Sequence, residues 1–95
     1  MKRVYKYPID ITDNQYVAMP KNAQILTAQV QNGKPCLWAL VDPNAKIEER
    51  TIRIAGTGHS ISDEEACRLV YVATLQMHNG SLVFHVFEVK EKEMM

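Results

Sequence analysis

At 95 residues the chain has room for one small domain with a single core and a modest stability margin. Hydrophobic content of 46% and charged content of 23% are ordinary for a globular protein. Eleven basic and eleven acidic residues cancel to a formal net charge of zero, so composition gives no support to the broad basic face of a duplex-DNA binder.

No apolar run approaches the ~20 residues of a membrane span, and the N-terminal MKRVYKYPID lacks a signal-peptide core. The expected location is the cytosol of the cell that makes the chain. Cys36 and Cys67 have neither CxxC spacing nor a disulfide framework and read as reduced, packed thiols.

Taken in order, Arg3 to Pro8 suits an edge strand stopped by proline. Ile9 to Gln15 is turn-forming around Asp13-Asn14, and Tyr16 to Met19 forms a short strand before Pro20. Lys21-Asn22 connects into Ala23 to Val41, which reads as two apolar strands folded about Asn32-Gly33. A two-residue type I′ turn needs φ > 0 at both central positions, which Asn-Gly tolerates. This turn pairs Gln31 with Lys34, Gln29 with Cys36, Thr27 with Trp38, Leu26 with Ala39 and Ile25 with Leu40. Leu26, Ala28, Val30, Leu37, Ala39 and Val41 then share a dry face. Trp38, Thr27, Gln29 and Cys36 lie on the other beside Ile25 and Leu40, a mixed face.

Asp42 to Lys46 is a turn, and Glu48 to Ala55 alternates as a half-exposed strand. Arg50, Ile52 and Ile54 fall on one side of it, with Glu49, Thr51 and Arg53 on the other. The strand delivers into Gly56-Thr57-Gly58-His59. Ser62 to Cys67 carries the one helical signal, with Ser62 as N-cap and Glu65 in capping-box position. Arg68 to Met77 and Ser81 to Val89 form a second hairpin about Asn79-Gly80. It places Tyr71, Ala73, Leu75 and Met77 beside Leu82, Phe84 and Val86 on a dry face, and Thr74 opposite His85. Residues 90–95 read as a solvated tail beyond a single β domain spanning 1–89.

Two hairpins with one dry face each bury those faces against one another. The expected fold is therefore all-β, a small antiparallel sandwich or partly open barrel with one short helical turn near 62–67. Trp38 and Phe87 fall on the outward faces, an arrangement that favours a homo-oligomer.

Three groups of residues suggest binding chemistry. Backbone N–H groups in the glycine-rich bend Gly56, Thr57, Gly58, His59 can form an anion nest, with Thr57 and His59 adding donors. A turn with a surface histidine is the simpler alternative. Trp38 with Thr27 and Gln29 can act as a stacking platform whose polar neighbours read ring edges, or can pack in a core or subunit interface. Arg53, near the bend, can clamp a phosphate or form a surface ion pair.

His59, His78 and His85 lack metal-ligand spacing, and Cys36 with any of them makes a weak nucleophile pair. Glu48-Glu49 and Glu64-Glu65 are adjacent in sequence and diverge in strand or helix. These patterns give no catalytic residue, no metal ligand and no cofactor.

The runs VQNGKPCLWALVDP, RTIRIAGTGHSI and LQMHNGSLVFHVFE give the chain a resemblance to a family of short phage and prophage proteins of unknown function. It covers roughly residues 4–88 and carries no catalytic residues with it. Such proteins are similar in style to the small oligomeric sponges, Sequestin and Lockin among them, with which phages capture nucleotide immune signals. The resemblance implies a phage protein in the host bacterial cytosol that sequesters a cyclic ADP-ribose or ADP-ribose derivative, or a cyclic dinucleotide, without cleaving it. Trp38 would stack, Thr27 and Gln29 would read edges, and Arg53 with the Gly56–His59 bend would hold phosphates. A protein-binding accessory or structural module is the alternative. A hydrolase using His59 or His85 comes third.

Overall fold

The computed structural model describes residues 1–90. Its elements are β1 (Arg3–Pro8), β2 (Asn14–Pro20), β3 (Gln24–Gln31), β4 (Lys34–Val41), β5 (Ile47–Gly56), α1 (Asp63–Ala66), β6 (Leu69–Met77) and β7 (Leu82–Val89). They form two antiparallel sheets, one of three strands in the order β1-β4-β3 and one of four in the order β2-β5-β7-β6. The fold is a small sandwich with no closed barrel. No helix among the described residues is long and apolar enough to cross a membrane.

Alternation along the strands builds the core. Ala28, Leu37, Ala39 and Val41 of the first sheet meet Met19, Ile52, Ile54, Ala73, Leu75 and Val86 of the second. Links after β1, after β2 and after β4 carry the chain from one sheet to the other. The Lys21 N–H bonds the Lys46 carbonyl, holding the links after β2 and β4 together.

Both Asn-Gly hairpins form with the expected pairing near their turns. Thr27 faces Trp38, and Asn32 and Gly33 have φ of 51° and 80°. Farther along, β3 bulges between Ile25 and Thr27, so Ile25 rather than Leu26 faces Ala39. Leu26 consequently leaves the dry face and is exposed, while Ile25 packs against the core. The second hairpin does the same. Thr74 faces His85 as expected, a bulge follows between Tyr71 and Ala73, and Tyr71 turns outward. Leu82 at the strand end is also exposed. The bulged strands β3 and β6 are the edge strands that approach one another where the sheets meet. Bulges bend an edge strand and increase its twist, and here both bends fall at that seam.

The second turn holds three successive residues at positive φ, His78, Asn79 and Gly80, and is wider than the two-residue turn expected. Cys36 and Cys67 are both free thiols; Cys36 is buried, whereas Cys67 is exposed instead of packed. Of the expected tail, Lys90 is exposed and donates its N–H to the Arg68 carbonyl. Residues 91–95 lie outside the described residues.

Strands β5 and β6 both run antiparallel to β7, which lies between them. They are therefore parallel to each other, and a hairpin cannot join them. Residues 57–68 make the crossover over the outer face of the four-stranded sheet. The Ser62 hydroxyl caps α1 by accepting the Glu65 N–H at 3.1 Å. The Glu65 carboxylate does not complete the box by turning back to Ser62. It reaches Arg53 instead.

Candidate functional site

The Gly56–His59 bend closes through a hydrogen bond from the His59 N–H to the Gly56 carbonyl at 3.0 Å, with Gly58 at φ 88°. The Thr57 N–H donates to the Val83 carbonyl at 3.2 Å, continuing the β5–β7 ladder by one step. Two of the N–H groups expected to cradle an anion are thus bonded within the protein. The His59 ring lies directly over Gly56, where an added Cβ would stand 3.1 to 3.4 Å from its atoms. A side chain at this position would require the ring to shift by a few tenths of an ångström, so glycine is what lets the ring rest this close.

Two clefts border the bend. One, of about 150 Å³, is lined by Ile11, Thr12, Asp13, Ile54, Gly56, His59 and Phe84. The other, of about 280 Å³, is lined by Gly56, Thr57, His59, Ser81, Leu82, Val83 and Phe84. They share Gly56, His59 and Phe84, and the His59 ring lies over Gly56 on this common lining.

The Thr57 hydroxyl is 2.7 Å from His85 Nε2, His85 Nδ1 is 3.1 Å from the Thr74 hydroxyl, and that hydroxyl is 2.8 Å from the Tyr71 hydroxyl. Cross-strand pairing positions this chain, since Thr74 faces His85 on the outer side of the sheet. A hydroxyl beside an imidazole oriented by a third group is the geometry of an activated nucleophile. Among the described residues both ring nitrogens face hydroxyls, with no carboxylate behind the imidazole.

Arg53 is buried and committed. Nε and Nη2 bond the two oxygens of Glu65 at 3.0 and 3.4 Å, and Nη1 donates to the Ile54 carbonyl at 2.8 Å. Asp13 adds its carbonyl and, at 3.6 Å, its carboxylate. The guanidinium expected to hold phosphates instead fastens the crossover to the sheet.

Trp38, Thr27 and Gln29 lie on the outer face of the other sheet. Trp38 is half-buried outside the core cluster, Thr27 is its neighbour on β3, and Gln29 is exposed beside Cys36. The Thr27 hydroxyl turns back to the Ala28 carbonyl at 3.4 Å. Lys6 Nζ reaches Gln31 Oε1 at 2.8 Å, from β1 across β4 to β3. That span crosses β4 at the level of Cys36 and accounts for the burial of an outward-facing thiol. Within one chain the Trp38 group and the Arg53–His59 group therefore occupy different sheets.

A third, polar cleft of about 440 Å³ lies at the other end of β5. Its floor is the Arg50–Glu88 pair. Arg50 Nε donates to Glu88 Oε2, Nη2 to Oε1 at 3.0 Å, and Nη1 to the Ala23 carbonyl at 2.8 Å. The Glu88 hydrogen bond pushes the Arg50 guanidinium further up in pKa against the opposing effect of burial. Asn22, Glu48, Glu49, Thr51 and Lys90 complete the walls. Sequence reasoning passed over Glu88, although a signal existed. Alternation from Val86 places it on the dry face, where an acid needs a partner, and Arg50 falls on the dry side of its own strand. With three acids against two bases, this cleft is a poor host for a phosphate.

Among the described residues, no three of His, Cys, Asp and Glu gather as a metal site would require. No curated protein and no solved structure matches the chain significantly. A domain family described only as of unknown function, DUF7352, matches residues 1–95. The chain belongs to that family.

Proposed function

We propose that this chain is a phage-encoded binding protein that takes up a nucleotide-derived signal and holds it unchanged, as a homo-oligomer in the host cytosol. The observation that carries this reading is the meeting of two clefts at His59 and Phe84, beside the glycine bend, with Thr12, Thr57 and Ser81 at their walls. Rings for stacking and hydroxyls for ring and sugar edges are what a nucleoside needs. The phage origin rests on the sequence resemblance. A second copy is part of the proposal because Arg53 is committed to Glu65 and Trp38 lies on the other sheet. A neighbouring copy brings a Trp38 face to the bend, and the ligand is enclosed between the two.

The test is capture and release. ADP-ribose, cyclic ADP-ribose isomers and cyclic dinucleotides are each incubated with the protein, filtered, and weighed by mass spectrometry before and after heating. Disappearance followed by intact return supports the reading. Return as a new mass makes the protein an enzyme and turns attention to Thr57 and His85. Free passage of every compound rejects the reading.

One observation favours a second reading, a module for a protein partner. Trp38 sits on an open sheet face with polar residues around it, and it lines none of the three clefts described above. An aromatic centre with a polar rim is a common interface pattern.

A further inference from the structure

Resting on the binding reading above, we propose that His59 is a movable wall, and that the uncharged nucleoside part of the ligand enters between it and Phe84, joining the two bend clefts into one site. Taken singly, clefts of about 150 and 280 Å³ fall short of the ~300 Å³ at which small-molecule sites begin. Joined through the space the His59 ring occupies, they pass it.

The ring is free to move. Among the described residues it has no side-chain hydrogen-bond partner, it is exposed, and it rests on Gly56, which has no side chain to interlock with it. Rotation about its side-chain bonds removes the wall without disturbing the β5–β7 ladder, because the bonds of the bend belong to the backbone. Phe84 stays in place, packed against the core from β7.

The lining selects the class of ligand. Phe84 and His59 offer two ring faces, and Ile11, Ile54 and Leu82 an apolar surround, of which Ile11 and Leu82 are exposed. Besides His59, the polar residues of the lining are Thr12, Asp13, Thr57 and Ser81. Hydroxyl oxygens such as these accept hydrogen bonds from ribose hydroxyls or an exocyclic amine. Among the described residues no lysine or arginine lines either cleft, so the lining offers a phosphate no counter-charge. The part held here is therefore a planar base with its sugar, and any phosphate points out of the site.

The experiment is an NMR titration of the full chain with adenosine, and with ribose 5-phosphate as the arm that has a sugar and phosphate but no base. Adenosine is expected to shift the Ile54 and Leu82 methyls together, one from each cleft, and to move the Gly56 Hα as the ring current above it departs. Ribose 5-phosphate is expected to do neither. His59→Ala should weaken adenosine binding at least fivefold, and His59→Phe should restore it. Shifts on only one side of His59 with an unchanged Gly56 Hα would overturn the movable wall and leave the binding reading intact. No response to millimolar adenosine would overturn the nucleoside site. Capture of ADP-ribose in the separate assay would then place the ligand on another surface.

Discussion

Arg53 and Glu65 meet in a two-point ion pair, Nε to Oε2 at 3.0 Å and Nη2 to Oε1 at 3.4 Å, that ties the helical turn α1 to the outer face of the four-stranded sheet. The four residues of α1 bury no side chain of their own. A helix that short has little intrinsic stability, so its position depends on the cap at Ser62 and on this pair.

Replacing Glu65 by Ala should therefore loosen the crossover and leave the buried guanidinium with only Asp13 opposite. The expected cost is about 1–2 kcal/mol, reduced because Glu65 is partly exposed. Urea unfolding measures it, and hydrogen exchange should rise over residues 60–67 while β7 stays protected. Arg53→Met combined with Glu65→Leu should recover most of the loss, because no unpaired charge remains.

The Arg50–Glu88 pair is more enclosed, with side-chain exposures of 16% and 11%. Glu88→Gln removes the counter-charge, and about 2–4 kcal/mol of destabilisation is expected. A double-mutant cycle with Arg50→Met should show strong coupling between the two positions. Additive costs would mean that the pair contributes nothing beyond packing.

Burial, and after it the neighbouring Tyr5, push the Tyr7 hydroxyl above its ordinary pKa of 10.0. The fold favours the neutral phenol. That contribution is intact below the unfolded-state value, about pH 10, and is lost as pH rises through the higher folded-state value. Thermal unfolding followed from pH 9 to pH 11 should show the wild type losing more stability than Tyr7→Phe. Equal losses would remove Tyr7 as the cause.

Trp38 is the chain's one tryptophan, so its fluorescence reports the outer face of the three-stranded sheet without ambiguity. In the proposed oligomer, dilution should red-shift its emission as a neighbouring copy leaves, and added ligand should reverse the shift. Trp38→Ala should lower ligand affinity well beyond a factor of two.

Particular residues show how far the sequence carries. Asn32-Gly33 set the first hairpin register correctly from Gln31–Lys34 to Thr27–Trp38, because turn geometry acts locally. The register was lost at Leu26, where β3 bulges at the seam with β6, and at Val72 for the same reason. A bulge answers to tertiary packing that no local pattern contains. The Arg53–Glu65 pair joins residues twelve apart across a crossover, and crossover routing depends on strand order, which the sequence leaves open. Simple alternation carried on from Val86 would put Glu88 on the dry face, and Arg50 already shares a side with Ile52 and Ile54, so pairing them needs only the rule that a buried charge has a partner. At the bend, the residue types were visible in sequence, but the internal bonding of Thr57 and His59 was not.

The most direct measurement of the central claim is native mass spectrometry of the protein mixed with ADP-ribose, repeated after denaturation. The account predicts an oligomer carrying the ligand, release of unaltered ADP-ribose on unfolding, and loss of the adduct in His59→Ala. A bare monomer at ligand concentrations in the high micromolar range, or release of a cleaved product, would contradict it.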